Sequence, residues 1–150
     1  MNRFEVTREI SAPKKRVWEI LSDVKRWPEW NSSVQKVVAL SPESIRFGSR
    51  FLVKQPRLAP LVYEVVVFEP DQLLSWEAQY PGFHLTEDHW IVPTHREDRV
   101  ELKLVLHQKG WFVNLSGLFF SNLIQKYLVV EAEGLQKKAE SVLPDPIMAG

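Results

Sequence analysis

The segment ISAPKKRVWEILSDVKRWPEWNSSVQKV, residues 10–37, predicts a helix that ends in an aromatic turn. Ser11 is of a residue type that caps helix N-termini, and Pro13 is tolerated in a first helical turn. The helix is predicted to end near Asp23, where a second short helix or turn begins. Its apolar side consists of Val17, Trp18, Ile20 and Leu21.

Two of the six tryptophans, Trp27 and Trp30, flank Pro28 just after this helix. Pro28 limits Trp27 to extended or turn geometry, so the chain must change direction here. Since aromatic side chains dominate protein cores, both tryptophans are interpreted as core residues that fix this corner. The alternative is that at least one of them lines a pocket.

On either side of this segment, alternating apolar and polar residues predict strands. The first strand contains Phe4, Val6 and Ile10, and short connections rich in proline and glycine separate the later ones. These lie at residues 34–40, 49–55, 61–68, 73–80, 83–92 and 99–108. Residues 112–143 follow as one long helix. The prediction is an α+β fold with a bent, mostly antiparallel sheet of about six or seven strands.

Composition excludes several classes of function. Lysine plus arginine and aspartate plus glutamate both number 19, so no net basic charge attracts nucleic acid. The absence of cysteine excludes disulfides and thiolate zinc sites and suits a reducing compartment. The N-terminus alternates as a strand does and lacks the apolar run of a signal peptide, which favours a cytoplasmic location. The apolar window 111–130 contains several polar residues, so it predicts an amphipathic helix and no stable membrane insertion.

Residues 10–37 resemble the opening of the polyketide cyclase/dehydrase and lipid-transport family, part of the START-like (SRPBCC, helix-grip) superfamily. The resemblance continues through VFEPDQLLSWEA (67–78), GFHLTEDHWIVP (82–93) and the last helix. It implies a helix-grip fold, in which a curved sheet wraps around a long C-terminal helix and two short helices follow the first strand. It also implies one ligand-binding domain over residues 1–150, ordered at about 2–143, with a deep pocket between sheet and helix.

The HLTEDH stretch contains two histidines, His84 and His89. On a strand, His84 shares a face with Trp90, whereas His89 shares the opposite face with Glu87. The two histidines therefore cannot both bind one ion from a regular strand, and with no third partner in sight no metal or other cofactor is predicted. A buried histidine can act as a general base or hold a polar ligand group, and the alternative is a surface or satisfied core histidine.

Glu131 falls near the middle of the apolar side of the last helix, where an unpaired charge is costly. One hypothesis is that Glu131 faces the cavity as a ligand anchor or as an acid with a raised pKa. The alternative is that it reaches the helix edge and pairs with an arginine or lysine of the sheet. His89 and Glu131 are the catalytic candidates. The predicted cavity residues are Trp27, Trp30, Phe51, Trp76, Tyr80, His89, Trp90, Phe120, Ile124, Tyr127 and Glu131.

Two functions follow from these predictions. The first is binding or transport of an apolar small molecule, such as a lipid, isoprenoid or polyketide, driven by burial of apolar area. The second is a polyketide cyclase or dehydratase that uses the cavity His or Glu as acid or base. Binding is favoured because the sequence has no convincing catalytic constellation. Leu115, Leu118 and Val129 lie on the otherwise polar side of the last helix, where they could form a homodimer contact, a cavity lid or a patch that touches a membrane or a partner. The alternative is that they are ordinary exposed apolar residues.

Overall fold

The computed structural model describes residues 2–42 and 44–141, without the side chains of residues 112–120. The predicted α+β fold is confirmed, with seven strands and with two short helices after the first strand. The elements are β1 (Asn2–Ile10), α1 (Lys14–Ser22), a 3₁₀ helix (Val24–Glu29), β2 (Lys36–Ala39), β3 (Arg50–Lys54), β4 (Leu61–Glu69), β5 (Leu73–Tyr80), β6 (Phe83–Pro93), β7 (Val100–Lys109) and α2 (Trp111–Ala139).

The strands form one curved antiparallel sheet in the order β1-β7-β6-β5-β4-β3-β2. Strands β2 to β7 follow one another as hairpins, and β1 pairs with β7 along its whole length. In β1 the side chains alternate between more and less exposed positions, as expected for a strand with one face towards the core. The register places Trp76 of β5 opposite Glu87 of β6, and Leu74 opposite His89.

The predicted start of α1 is wrong in one respect. The helix begins at Lys14, preceded by Pro13 in extended geometry, and no side chain caps it. The Pro13 carbonyl accepts hydrogen bonds from the amides of Arg16 and Val17. Ser11 does not act as the cap; its amide instead donates to the Glu140 carboxylate near the end of α2, over 2.8 Å. Ser11 therefore makes a tertiary contact with the end of α2 and takes no part in capping α1.

Helix α2 packs against the inner face of the sheet and against α1. Its buried side consists of Leu123, Ile124, Leu128, Glu131, Ala132, Leu135 and Ala139. Arg16 of α1 donates to the carbonyls of Ala139 and Lys138 at the end of α2. Among the described residues, no helix combines the length and apolar character needed to cross a bilayer.

Gly134 allows α2 to approach the backbone of Trp30, the residue that follows the 3₁₀ helix. A Cβ at this position would lie 2.1 Å from the Trp30 carbonyl oxygen, which is closer than any real contact. Alanine normally stabilises a helix interior by about 1 kcal/mol relative to glycine. We expect Gly134→Ala to destabilise instead, by about 1–3 kcal/mol, because overpacking against backbone outweighs helix propensity. Urea unfolding measures the change, with the exposed Lys137→Ala as the control, and a more stable Gly134→Ala protein would contradict the close contact.

Candidate functional site

Three buried ionisable side chains meet between the sheet and α2. Glu87 and His89 are two residues apart on β6 and therefore share its inner face, and Glu131 lies on the buried side of α2. Each is at most 7% exposed. His89 Nε2 lies 3.2 Å from Glu131 Oε1 and 3.3 Å from Glu87 Oε1. This cluster is called the buried triad below.

Hydrogen bonds to neighbouring groups hold the triad in place. His89 Nδ1 lies 2.8 Å from the Leu74 carbonyl oxygen, which can only accept, so Nδ1 carries a proton. Nε2 is then the nitrogen that faces both carboxylates. The Trp76 indole N–H donates to Glu87 Oε1 over 3.1 Å. The orientation of the imidazole is thus set by the β5 backbone, and that of Glu87 in part by Trp76.

Burial and mutual charge set the protonation of the triad. Burial would raise the pKa of Glu87, but the His89 charge and hydrogen bonds from Glu131, His89 and Trp76 outweigh it and lower that pKa to about 2. Burial would lower the pKa of His89, but the Glu87 charge and hydrogen bonds to both carboxyl groups outweigh it and raise that pKa well above its usual value. Burial, together with the Glu87 charge, raises the pKa of Glu131 well above the ordinary value of a carboxyl group. These directions favour a carboxylate at Glu87, an imidazolium at His89 and a neutral carboxyl group at Glu131.

Aromatic rings enclose the triad. The Trp27 ring lies 4.9 Å from that of Trp76 and 5.4 Å from the His89 imidazole, and its N–H donates to the Leu21 carbonyl. Tyr63 stacks on Trp76 at 4.6 Å. Trp27 sits in the 3₁₀ helix that carries Pro28, so the break after α1 places this ring under the sheet. These apolar walls keep the dielectric constant around the triad low.

A small inner cavity adjoins the triad. Its volume is about 30 Å³, which is room for a water molecule or one small polar group. Glu87 and Glu131 form part of its wall, and Asn31 and Ser33 contribute polar atoms. The Asn31 side-chain oxygen accepts hydrogen bonds from the amide and hydroxyl of Ser33. The cavity is therefore too small to hold a lipid or polyketide by itself.

A larger pocket of about 290 Å³, called the mouth pocket below, lies next to the inner cavity. Ser33 and Tyr127 line both spaces. The turn after β3 forms one side of the mouth pocket, and α2 forms the other with Leu123, Lys126, Tyr127 and Val130. Its volume is at the lower end of the range for small-molecule sites.

The predicted cavity residues fall into three groups. Those that line the inner cavity are Trp27, Trp76, Ile124, Tyr127 and Glu131. Those packed in the surrounding core are Trp30, Phe51 and the fully buried His89. Tyr80 and Trp90 are 39% and 38% exposed and line neither the inner cavity nor the mouth pocket. Trp90 shares the outer face of β6 with His84, because side chains on a strand alternate.

The remaining predictions about site and contact residues concern side chains on α2. Glu131 does not pair with an arginine or lysine at the helix edge, since its partners are His89 and Glu87. The side chains of Phe120, Leu115 and Leu118 lie outside the described residues, and Val129 is half-buried. The homodimer contact therefore stays a prediction.

The sequence analysis did not select Glu87, Tyr63, Asn31 or Ser33. A signal for Glu87 was present, because it shares the strand face of His89. Its importance depends on Glu131, which is 42 residues beyond His89 along the chain. No local pattern predicts that α2 brings this carboxyl group to β6.

The triad is also a donor set that can hold a metal ion. One nitrogen or oxygen atom from each of Glu87, His89 and Glu131 lies within 4.8 Å of the others. An imidazole and two carboxylates are ligands that suit a divalent cation such as zinc. No metal site was predicted from the sequence, because His84 and His89 lie on opposite strand faces and no further partner was identified. The fold brings Glu131 of α2 to Glu87 and His89. In the geometry described above, however, the three groups satisfy one another by hydrogen bonds and opposite charge.

The model of the family described as polyketide cyclase / dehydrase and lipid transport matches residues 1–140. Among curated proteins, none matches the chain. A hypothetical protein from Helicobacter pylori has a TM-score of 0.79 at 15% identity, over 93% of this chain and 88% of that one. A START superfamily protein from Mycobacterium smegmatis has a TM-score of 0.73 at 18% identity, over 94% and 99%.

The Zhui aromatase/cyclase from a Streptomyces species has a TM-score of 0.74 at 18% identity, over 93% of both chains. At such identities the three structures show a shared fold and leave activity open. The family model, in contrast, covers nearly the whole sequence, including the 10–37 segment, β6 and all of α2. The chain therefore belongs to the polyketide cyclase / dehydrase and lipid transport family.

Proposed function

We propose that this protein binds a small molecule whose apolar body occupies the mouth pocket and whose polar group enters the inner cavity and meets Glu131. The observation that carries the proposal is a buried carboxyl group, Glu131, in the wall of an aromatic cavity that adjoins a larger pocket. Burial and the Glu87 charge raise the pKa of this carboxyl group, which favours its neutral form. A neutral acid offers the ligand a hydrogen-bonding group without the cost of burying a further charge. The binding unit is one domain over residues 1–150, and its cytoplasmic location stays a prediction.

The sizes of the two spaces restrict the ligand. The inner cavity admits a hydroxyl, carbonyl or amide group, and the mouth pocket admits a body of about two fused rings or a short chain. Leu123, Val130 and the Tyr127 ring give the mouth pocket an apolar surface. Burial of apolar area at about 25 cal/mol per Å² supplies most of the affinity. A small polyketide-like or isoprenoid compound meets these requirements better than a long-chain lipid.

Native mass spectrometry of the purified protein, followed by calorimetric titration with 2-naphthol, tests this proposal. We expect saturable 1:1 binding with a dissociation constant below about 1 mM. In Val130→Trp the new ring fills the mouth pocket, and we expect affinity to fall at least about tenfold. Val129→Trp is the matched control, since Val129 is half-buried on the same helix but does not line the pocket. The proposal would be contradicted if the purified protein carries no bound small molecule and if its titration with 2-naphthol shows no saturable binding.

A cyclase or dehydratase is the second candidate, and the raised pKa of the buried Glu131 carboxyl group favours it. A carboxylic acid with a raised pKa can give its proton to a departing hydroxyl group, which leaves as water. The Zhui aromatase/cyclase shows that this fold occurs in an enzyme of that kind. Glu131→Gln keeps size and hydrogen-bond donors but has no proton to transfer. Turnover of a bound ligand that survives this substitution would exclude Glu131 as the acid.

A further inference from the structure

Two positive charges in the mouth pocket lack acidic partners. Arg57 and Lys126 line this pocket, and none of the described residues that line it carries a carboxylate. Neither cation forms an ion pair within residues 2–42 and 44–141. Other arginines behave differently, since six of them lie within 4.0 Å of a carboxylate: Arg3, Arg8, Arg26, Arg50, Arg96 and Arg99. In a chain of zero net charge, the mouth pocket is therefore a local basic site.

The backbone holds Arg57 in a conformation that suits glycine better. The Leu58 amide donates to the Gln55 carbonyl over 3.2 Å, and Pro56 is the second residue of this turn. Arg57 is third, with φ at 65°. This is the position at which turns of this kind favour glycine or asparagine, since a side chain with positive φ costs about 1–2 kcal/mol. The arginine at this strained position places a guanidinium beside the pocket. A glycine would fit the backbone better but would add no charge there.

The turn is also fastened to α2. The Tyr127 hydroxyl donates to the Pro56 carbonyl, and Lys54 Nζ donates to the carbonyls of Gln55 and Leu58. Burial raises the pKa of Tyr127, and the Arg57 charge opposes that rise. The Arg57 charge therefore acts on the Tyr127 side chain in the pocket wall. Arg57 and Lys126 thus face one space from two anchored elements.

We propose that the ligand carries an acidic group, a carboxylate or a phosphate, which Arg57 and Lys126 bind at the mouth pocket. The inference rests on the proposed function and adds the ligand class, an amphipathic anion. Its apolar body contacts Leu123 and Val130, and its acidic group stays at the rim, where water still solvates part of it. Arginine suits this role because its planar fork matches carboxylate and phosphate oxygens.

Calorimetric titration with a matched pair of probes, 2-naphthoate and its neutral isostere 2-naphthamide, tests the inference. At low salt we expect naphthoate to bind on the order of tenfold more tightly than the amide. At about 0.5 M salt the difference should shrink, because screening weakens charge pairs at the surface. Naphthyl phosphate is the third probe and distinguishes the two acidic groups, since the preferred anion is the one with the larger advantage over the amide.

Arg57→Gly separates ligand recognition from structure. Removal of the strained side chain should raise the melting temperature, while the preference for naphthoate should fall to about twofold or less. Lys126→Gln should reduce the preference in part, and Lys137→Gln, an exposed cation elsewhere on α2, should leave it unchanged. Equal affinities for acid and amide would overturn the acidic ligand but leave the proposed function standing. Absence of binding by all probes, 2-naphthol included, would overturn both.

Discussion

Replacement of His89 by leucine is expected to lower the free energy of unfolding by about 3–5 kcal/mol, which is the usual cost of breaking a buried ion pair by removing one partner. Leucine is of similar size, so the effect should come from charge more than from lost volume. The substitution leaves Glu87 and Glu131 facing each other without the cation between them. It also leaves the Leu74 carbonyl without its donor. Urea unfolding at pH 7 measures the loss.

The same strand offers a matched control. His84 lies 3.1 Å from Glu77, nearly the distance between His89 and Glu131, but its side chain is 24% exposed. We expect His84→Leu to cost no more than about 1 kcal/mol, as exposed pairs do. If His89→Leu does not fold, His89→Gln keeps a hydrogen-bond donor and should be intermediate. Equal effects of the two leucine substitutions would show that the buried triad contributes no more than a surface pair.

The strands and α2 could be predicted because local rules decide them. The predicted strand at residues 73–80 has the same bounds as β5, since hairpin connections with proline, aspartate or glycine stop it at both ends. The second strand is shorter than predicted. Val34 was included, but its amide donates to the Asn31 carbonyl in a turn, so β2 begins only at Lys36. Here a competing hydrogen bond decides where the strand begins, and the alternation of apolar and polar residues does not predict that bond.

The site could be predicted only in part. The position of Glu131 on the apolar side of a helix was visible in the sequence, because helical periodicity is regular over two turns. The partners of Glu131 on β6 could not be predicted, because the distance between β6 and α2 depends on how the whole sheet curves. The predicted cavity residues include both His89 and Trp90, although the period of a strand puts neighbours on opposite faces. Of these two side chains, the structure buries His89 and exposes Trp90. The two cavities follow from side-chain packing and have no signal in the sequence.

The free energy of unfolding should depend on pH through the protonation of the buried triad. Glu87 has its pKa lowered to about 2 in the folded state. Its contribution is therefore present above the unfolded value of about 4.5 and is lost as the pH falls towards 2, which amounts to about 3 kcal/mol. Glu131 behaves oppositely, because its raised pKa keeps it protonated in the folded state. Its contribution is complete below about pH 4.5 and is lost as the pH rises towards the folded-state pKa.

His89 adds to this loss at higher pH. With its pKa raised well above the ordinary value, its contribution is complete below about pH 6.5 and is lost as the pH rises towards the folded-state pKa. The triad thus favours a stability maximum near pH 4.5. The decline should reach about 1.4 kcal/mol per pH unit above pH 4.5, where the folded state holds one extra proton. Above pH 6.5 it holds two, and the slope should approach about 2.7 kcal/mol per unit until a folded-state pKa is reached.

Comparison of the wild type with Glu131→Gln isolates this effect from the rest of the molecule, because surface carboxylates such as Glu5 and Asp98 titrate alike in both. Glutamine cannot ionise, so the proton that Glu131 takes up on folding disappears. The difference in unfolding free energy between the two proteins should change by about 1.4 kcal/mol per pH unit above pH 4.5, in favour of the variant as the pH rises. Urea titrations from pH 4 to 9 measure it. Parallel profiles would mean that Glu131 is ionised in the folded protein, and both the acid role and the neutral hydrogen-bond donor would then fail.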